Sequence, residues 1–282
     1  MRCDSHVHVV GEPERYPQLA SRSYLAGVAR LDTLVRSAAT RNISRFVIVQ
    51  PSFYGSDNTL LLESLDVLDR SGRGVAVVDP ADAPAGMLAN YAQRGVRGLR
   101  VNLYSQLGEP KPFDLTFAAM ARLALPLGWH VEVIASIAAL VANADLLARS
   151  PVPVVIDHYG VYGRSALESP EGRRLLDLLR LPHVWIKLSA PYRVSENTLD
   201  TRPNQAWLKA MLACAERCVW GSDWPHTPPD ALHAGGAIEV PYRNLSYAAL
   251  VDDFLATLAS PALAERIMQD NPARLYGFSD SA

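Results

Sequence analysis

The chain predicts an α/β fold, a parallel (β/α)8 TIM barrel, on three observations. Eight short runs rich in Val, Ile and Leu recur along it, as strands covered on both faces require. Stretches with helical apolar spacing separate most of these runs. No Gly-rich phosphate turn follows the first run, and that disfavours a doubly wound sheet.

The strands are expected at 2–9, 46–50, 74–78, 98–102, 130–134, 152–158, 184–189 and 218–223. The helices between them are expected at 31–41, 59–70, 84–94, 115–125, 137–148, 171–180 and 205–216, with two more at 245–258 and 261–275. Leu60, Leu61, Ser64, Leu65 and Leu68 share one helix face, and Asp57 or Asn58 can cap that helix. Ser260 before Pro261 reads as an N-cap followed by proline at the first helical position. Neither an internal repeat nor a linker-like composition shift divides the chain, so one domain over 1–282 is expected. Two connections are long, 10–29 and 227–244, and loops of that length after barrel strands are candidate lids or substrate walls.

The 282 residues carry a net charge of −2, with 49% hydrophobic and 20% charged residues. That near-neutral balance argues against a nucleic-acid or anionic-membrane partner, either of which needs a basic face. Three cysteines, Cys3, Cys214 and Cys218, form no even disulfide framework and suit a reducing compartment. The chain starts directly on a strand-like run without a charged, then apolar, leader, and no run of about 18 apolar residues follows. A cytoplasmic protein with no membrane span is expected. The sequence does not set the oligomeric state.

Candidate chemistry gathers at strand ends. His6 and His8, two apart on the first strand, point to one side and can bind a metal or polarise a carbonyl, although a surface H-x-H run is the simpler alternative. His158 ends the sixth strand and Asp223 the eighth, at the barrel face where such enzymes assemble their sites. Taken singly, they read as a core histidine and a helix cap. Arg100 and Asn102 share a face of the fourth strand, and a strand arginine needs an anionic partner, a substrate carboxylate or an internal salt bridge. Glu132 can support a histidine, ligate a metal or pair with Lys187. His226 follows Asp223 closely enough to brace it, and His233 lies in the long last loop.

With these positions in hand, the chain resembles the amidohydrolase superfamily. The branch it is most similar to is that of the 2-pyrone-4,6-dicarboxylate lactonases and related lactone hydrolases. The matching stretches are Val49-Gln50-Pro51-Ser52, Gly55-Ser56-Asp57-Asn58, Gly95 to Asn102, Gly128-Trp129-His130-Val131 and Val155-Ile156-Asp157-His158. Trp220-Gly221-Ser222-Asp223-Trp224-Pro225-His226 and Asn271 to Tyr276 complete the set in order. The resemblance implies Asp223 as the base that activates water, with His6, His8 and His158 on the lactone carbonyl. It implies Arg100 and Arg193 as grips for substrate carboxylates, with Ser52 and Tyr24 adding hydrogen bonds. It implies that no cofactor is required; the alternative is one divalent metal, Zn or Mn, on His6, His8 and Asp223. Two departures stand out. Gln106 occupies the place of a second basic residue after the fourth strand, and Ile134 that of a tyrosine ending the fifth. Fewer donors imply fewer, or differently placed, carboxylates on the substrate.

The expected partner is a small carboxylated lactone. Three alternatives stay open: a metal-dependent decarboxylase or amidohydrolase, a sugar-acid lactone isomerase, and a non-catalytic carboxylate-binding barrel.

Overall fold

A computed structural model describes residues 1–104, 112–214, 216–228 and 238–279. Eight parallel strands form the barrel in sequential order. They are β1 (Arg2–Val7), β2 (Ile43–Val49), β3 (Gly72–Ala76), β4 (Val96–Asn102), β5 (His130–Ile134), β6 (Val154–Ile156), β7 (Val184–Ser189) and β8 (Cys218–Gly221). Closure comes just beyond β8: Asp223 N donates to His6 O at 2.9 Å and His8 N to Trp224 O at 2.8 Å. The seam therefore zips through the residues expected to do chemistry. A Cβ on Gly221 would lie 2.6 Å from His6 Cβ, so only glycine lets the two strands approach this closely.

The period-2 alternation of strands sorts the interior into two levels. At the bottom, Cys3, Val47, Val49, Val75, Val155, Trp185 and Val219 form an apolar cluster that Tyr276 and Phe278 plug. Above it the interior turns polar, with Arg100, Glu132, Asp157, Lys187 and Asp223 all buried. Strand β1 changes face on the way up. Asp4 pairs with Phe46 but Val7 with Ile48, so one extra residue bulges out. The bulge sends Cys3 into the bottom cluster and still aims His6 and His8 into the barrel mouth.

The helices lie within a few residues of the expected positions: α1 (Leu31–Ala39), α2 (Thr59–Leu68), α3 (Ala85–Gln93) and α4 (Phe113–Ala124). Farther along come α5 (Ile137–Ala142), α6 (Ala144–Ala148), α7 (Pro170–Leu179), α8 (Gln205–Cys214) and α9 (Tyr247–Thr257). Two expected helices are broken. The 137–148 stretch divides at Asn143, whose side-chain amide donates back to Ala139 O at 2.9 Å and competes with the backbone ladder. The 261–275 stretch becomes α10 (Pro261–Glu265), a π turn (Arg266–Asp270) and α11 (Asn271–Tyr276). Pro272 has no N–H to give to the preceding turn, which therefore widens. No described helix is long and apolar enough to cross a membrane.

The two long loops meet. Val10 and Ala29 bond to each other and pinch the first loop shut at its base. Its Leu25–Ala26 segment then pairs in parallel with Glu239–Val240 from the last loop. Together they wall one side of the mouth and deliver Tyr24 to it.

Candidate active site

The site occupies the carboxyl ends of the strands. His6 lies at the end of β1 and His8 just beyond it, His158 follows β6, and Tyr192 and Arg193 follow β7. Asp223 follows β8. His158, Ala190, Asp223 and His226 adopt positive φ, 49°, 53°, 59° and 69°. Non-glycine residues in that region cost of order 1–3 kcal/mol each and persist where surrounding contacts impose them, commonly at functional sites.

Asp223 is fully buried and its two oxygens differ. Oδ2 accepts from Tyr192 Oη at 2.7 Å and from Arg193 Nε at 2.9 Å. Oδ1 makes no hydrogen bond to the protein. It faces the Nε2 atoms of His8, His6 and His158 at 3.5, 3.6 and 3.8 Å. Burial alone would raise this carboxyl's pKa, but the Arg193 guanidinium, foremost among its neighbours, holds it well below the usual range. The carboxylate is thus ionised with one oxygen oriented and the other aimed at the imidazoles.

The histidines are individually set. His8 Nδ1 lies 2.7 Å from Val49 O, a carbonyl that only accepts, so Nδ1 carries the proton and Nε2 a lone pair in the neutral ring. His6 Nδ1 lies 3.0 Å from Lys187 Nζ, and His6 Nε2 is 3.3 Å from His8 Nε2. His158 Nδ1 bonds to Ser189 Oγ at 2.9 Å. Burial, reinforced for His6 by Lys187, depresses the pKa of His6 and His158 well below the usual histidine range, so both are neutral.

Beneath this layer lies a charged floor. Lys187 Nζ bonds to Glu132 and lies 3.6 Å from Asp157 Oδ1. Arg100 donates to Gln50 O at 3.1 Å and to Asp157 Oδ2 at 3.3 Å, with its Nε 3.8 Å from Glu132 Oε1. Burial opposes ionisation of Glu132 and Asp157, and for each the nearby cations, Lys187 foremost, win and hold the carboxyl below its usual range. Glu132 thus takes the Lys187 option left open by the sequence, and Arg100 takes the internal salt bridge.

Of the other expected residues, Ser52, Tyr24 and Ile134 line the mouth with His8, Arg100 and Arg193. This narrow cleft of about 40 Å3 shares Ser52, Arg100 and Asn102 with a mostly apolar recess of about 860 Å3 over the ends of β2 to β4. Arg193 holds Asp223 and Thr227, so its first role is to orient the carboxylate. His226 braces Asp223 through the backbone, N to O at 2.8 Å, and its ring nitrogens bond to nothing described. Gln106 and His233 lie outside the described residues. Sequence reasoning assigned no role to Tyr192, Ser189 or Asp157. Asp157 stood beside His158 in a quoted stretch, and Ser189 alternates with Lys187, which was the available signal.

Two groups of donors converge closely enough to hold a metal ion: His6, His8 and Asp223, and His6, Asp157 and His158. Both require a lone pair on a His6 nitrogen. Metal-bound histidines give their other N–H to a carboxylate, carbonyl or water. His8 fits that pattern through Val49 O, whereas His6 presents its Nδ1 to an ammonium. In this arrangement the first group does not fit an ion at His6 Nε2.

An eight-stranded α/β barrel with an oriented carboxylate and three imidazoles at its carboxyl face defines a barrel hydrolase. The chain belongs to the Amidohydrolase family, which it matches over residues 3–278. It is 30% identical to the 4-sulfomuconolactone hydrolase of Hydrogenophaga intermedia over 278 residues, 97% of this chain and 88% of that one. It is 29% identical to the 2-pyrone-4,6-dicarboxylate hydrolase of Comamonas testosteroni over 286 residues, 97% of this chain and 89% of the relative. Among solved structures it is similar to a putative 2-pyrone-4,6-dicarboxylic acid hydrolase from Pseudomonas putida, with TM-score 0.81, 31% identity, and 99% and 98% of the two chains covered.

Proposed function

We propose that this chain hydrolyses a carboxylated lactone by water attack on the ring ester. The observation that carries the reading is Asp223: a buried, ionised carboxylate with Oδ2 fixed by Tyr192 and Arg193, and Oδ1 turned toward three imidazoles without a protein donor. A water held at Oδ1, beside the imidazoles of His6 and His8, gives that oxygen one hydrogen. Its oxygen attacks the ring carbonyl carbon while Asp223 takes the proton. His6 Nε2–H and His158 donate to the developing oxyanion, the interaction that strengthens in the transition state. Collapse breaks the ring C–O bond, and the proton on Asp223 passes to the departing alkoxide or enolate. The product is an open hydroxy acid or its keto tautomer, and its new carboxyl group releases one proton at neutral pH.

The reading needs no cofactor, and no step is routed through an ion. Arg193 and Arg100 line the cleft and keep donors beyond those spent on protein partners, which favours an anionic ring. The relatives' names supply the first substrates to try. Acid release from metal-stripped enzyme is measured on 2-pyrone-4,6-dicarboxylate, 4-sulfomuconolactone and monocarboxylated lactones. Release without added metal is expected. Silence until Zn2+ or Mn2+ is restored would replace this mechanism, and rearrangement without acid release would make the chain a lactone isomerase.

A further inference from the structure

We propose that Lys187 is a positioning residue: its ammonium, seated on His6 Nδ1, keeps the imidazole proton on Nε2, so that His6 works as a hydrogen-bond donor and is withheld from metal ligation. An ammonium has three N–H donors and no lone pair, so a ring nitrogen 3.0 Å away must accept. A neutral imidazole has one proton, and it then sits on Nε2. That N–H points at the lone pair of His8 Nε2, 3.3 Å away. The two histidines of one H-x-H run therefore hold opposite tautomers, imposed by Lys187 below one ring and the Val49 carbonyl beside the other.

The opposite tautomer of His6 is close at hand. Asp157 Oδ1 and Glu132 Oε1 lie 3.4 and 3.7 Å from the same Nδ1, and neither oxygen has a hydrogen bond in the protein. These are the acceptors that would fix Nδ1–H and free the Nε2 lone pair for an ion. Lys187 stands between that arrangement and the present one. It is itself held in place, fully buried, by its bond to Glu132 and by Asp157 at 3.6 Å. Swinging it aside would leave Glu132 without its hydrogen-bonded cation and Asp157 with Arg100 alone, so the tautomer is enforced by the charge balance of the floor. One lysine thus decides whether a converging donor set acts as an oxyanion cradle or as a metal site. The catalytic consequence rests on the hydrolytic reading above; the tautomer itself does not.

The test uses the full chain with 15N-labelled histidine. Two-bond proton–nitrogen NMR correlations at neutral pH report which ring nitrogen carries hydrogen, and His6→Gln assigns the signals. A protonated Nε2 and bare Nδ1 are expected; the reverse pattern overturns the proposal. Lys187→Met is expected to move the His6 proton to Nδ1 and to tighten Zn2+ binding to the metal-stripped protein at least tenfold, read by equilibrium dialysis. A folded variant with unmoved tautomer and unchanged Zn2+ affinity overturns it, since a merely structural lysine would lower the melting temperature alone. If Lys187→Met does not fold, Lys187→Met with Glu132→Leu removes the ion pair together and is held to the same two readouts. Neither readout involves a lactone, so a silent substrate panel with the expected tautomer sinks the lactonase reading and leaves this one standing.

Discussion

The interior of the barrel holds two layers of buried charge, and they are built to opposite ends. In the floor, Lys187, Arg100, Glu132 and Asp157 pair cation with anion, and both carboxylates lie against guanidinium or ammonium. In the mouth, Asp223 has one oxygen tied and the other left facing imidazoles. Both layers are shielded from water and both keep their carboxylates ionised. Each layer leaves carboxylate oxygens without a hydrogen bond, and the difference lies in what faces them: ammonium and guanidinium at Asp157 Oδ1 and Glu132 Oε1, imidazoles at Asp223 Oδ1. A paired buried charge holds structure, whereas an ionised oxygen lacking a donor at the open end of a barrel can take a proton from a bound water.

The largest test of that contrast is Asp223→Asn. Removing the base is expected to cost roughly 10^3–10^4-fold in kcat, the upper range for general-base catalysis, with lactone binding retained. Wild-type turnover would take Asp223 out of the chemistry. Glu132→Leu should do the opposite, striking stability first. It strands Lys187 and is expected to cost about 3–5 kcal/mol, a fall in melting temperature of roughly 10 °C. A melting point unmoved by more than about 2 °C would show that the floor is not structural. His158→Ala removes one proposed oxyanion donor and should lower kcat by about 10^2–10^3-fold with KM little changed. An effect confined to KM would make His158 a substrate contact only.

Protons probe both layers at once. Burial depresses the pKa of His6, His130 and His158, and takes His226 down to about 4. Below about pH 6.5 the unfolded chain therefore binds more protons than the folded one. The associated stability is complete above that pH and drains away as pH falls, by up to about 1.4 kcal/mol per pH unit for each such histidine. Asp4 opposes this, because burial pushes its carboxyl up to about 6 and the folded chain gains that proton first. Below about pH 4, loss of the depressed carboxylates adds to the fall. Urea unfolding at pH 7.5 and 5.0 should give a clearly lower midpoint at pH 5.0, and equal midpoints would contradict neutral buried histidines. The smallest effect is expected from Tyr192→Phe. It removes one of two donors to Asp223 Oδ2, about 1 kcal/mol, and should change kcat three- to tenfold while Arg193 still orients the carboxylate.

Much of this was legible in the chain. Strand and helix positions followed from apolar period, and the broken helices mark where that signal fails: Asn143 and Pro272 change hydrogen bonding without interrupting the apolar pattern. His6, His8, His158 and Asp223 were candidates because each lies at a strand end, and the barrel brings all four together. Arg193 was visible as a residue but not as a partner of Asp223, and Lys187 as a partner for Glu132 but not for His6. Nothing local says that an arginine after β7 reaches a carboxylate after β8, or that a β7 lysine meets a β1 histidine.

The sequence by itself determined the eightfold alternation, the polar upper half of the strands and the identity of the groups at their ends. Apolar period and side-chain alternation are local, and a single strand suffices to express them. Only the tertiary structure decided which oxygen of Asp223 is spent, which nitrogen of each histidine carries its proton and which carboxylate each cation neutralises. Those choices depend on distances of about 3 Å between different strands, and these distances exist only once the β1–β8 seam has closed.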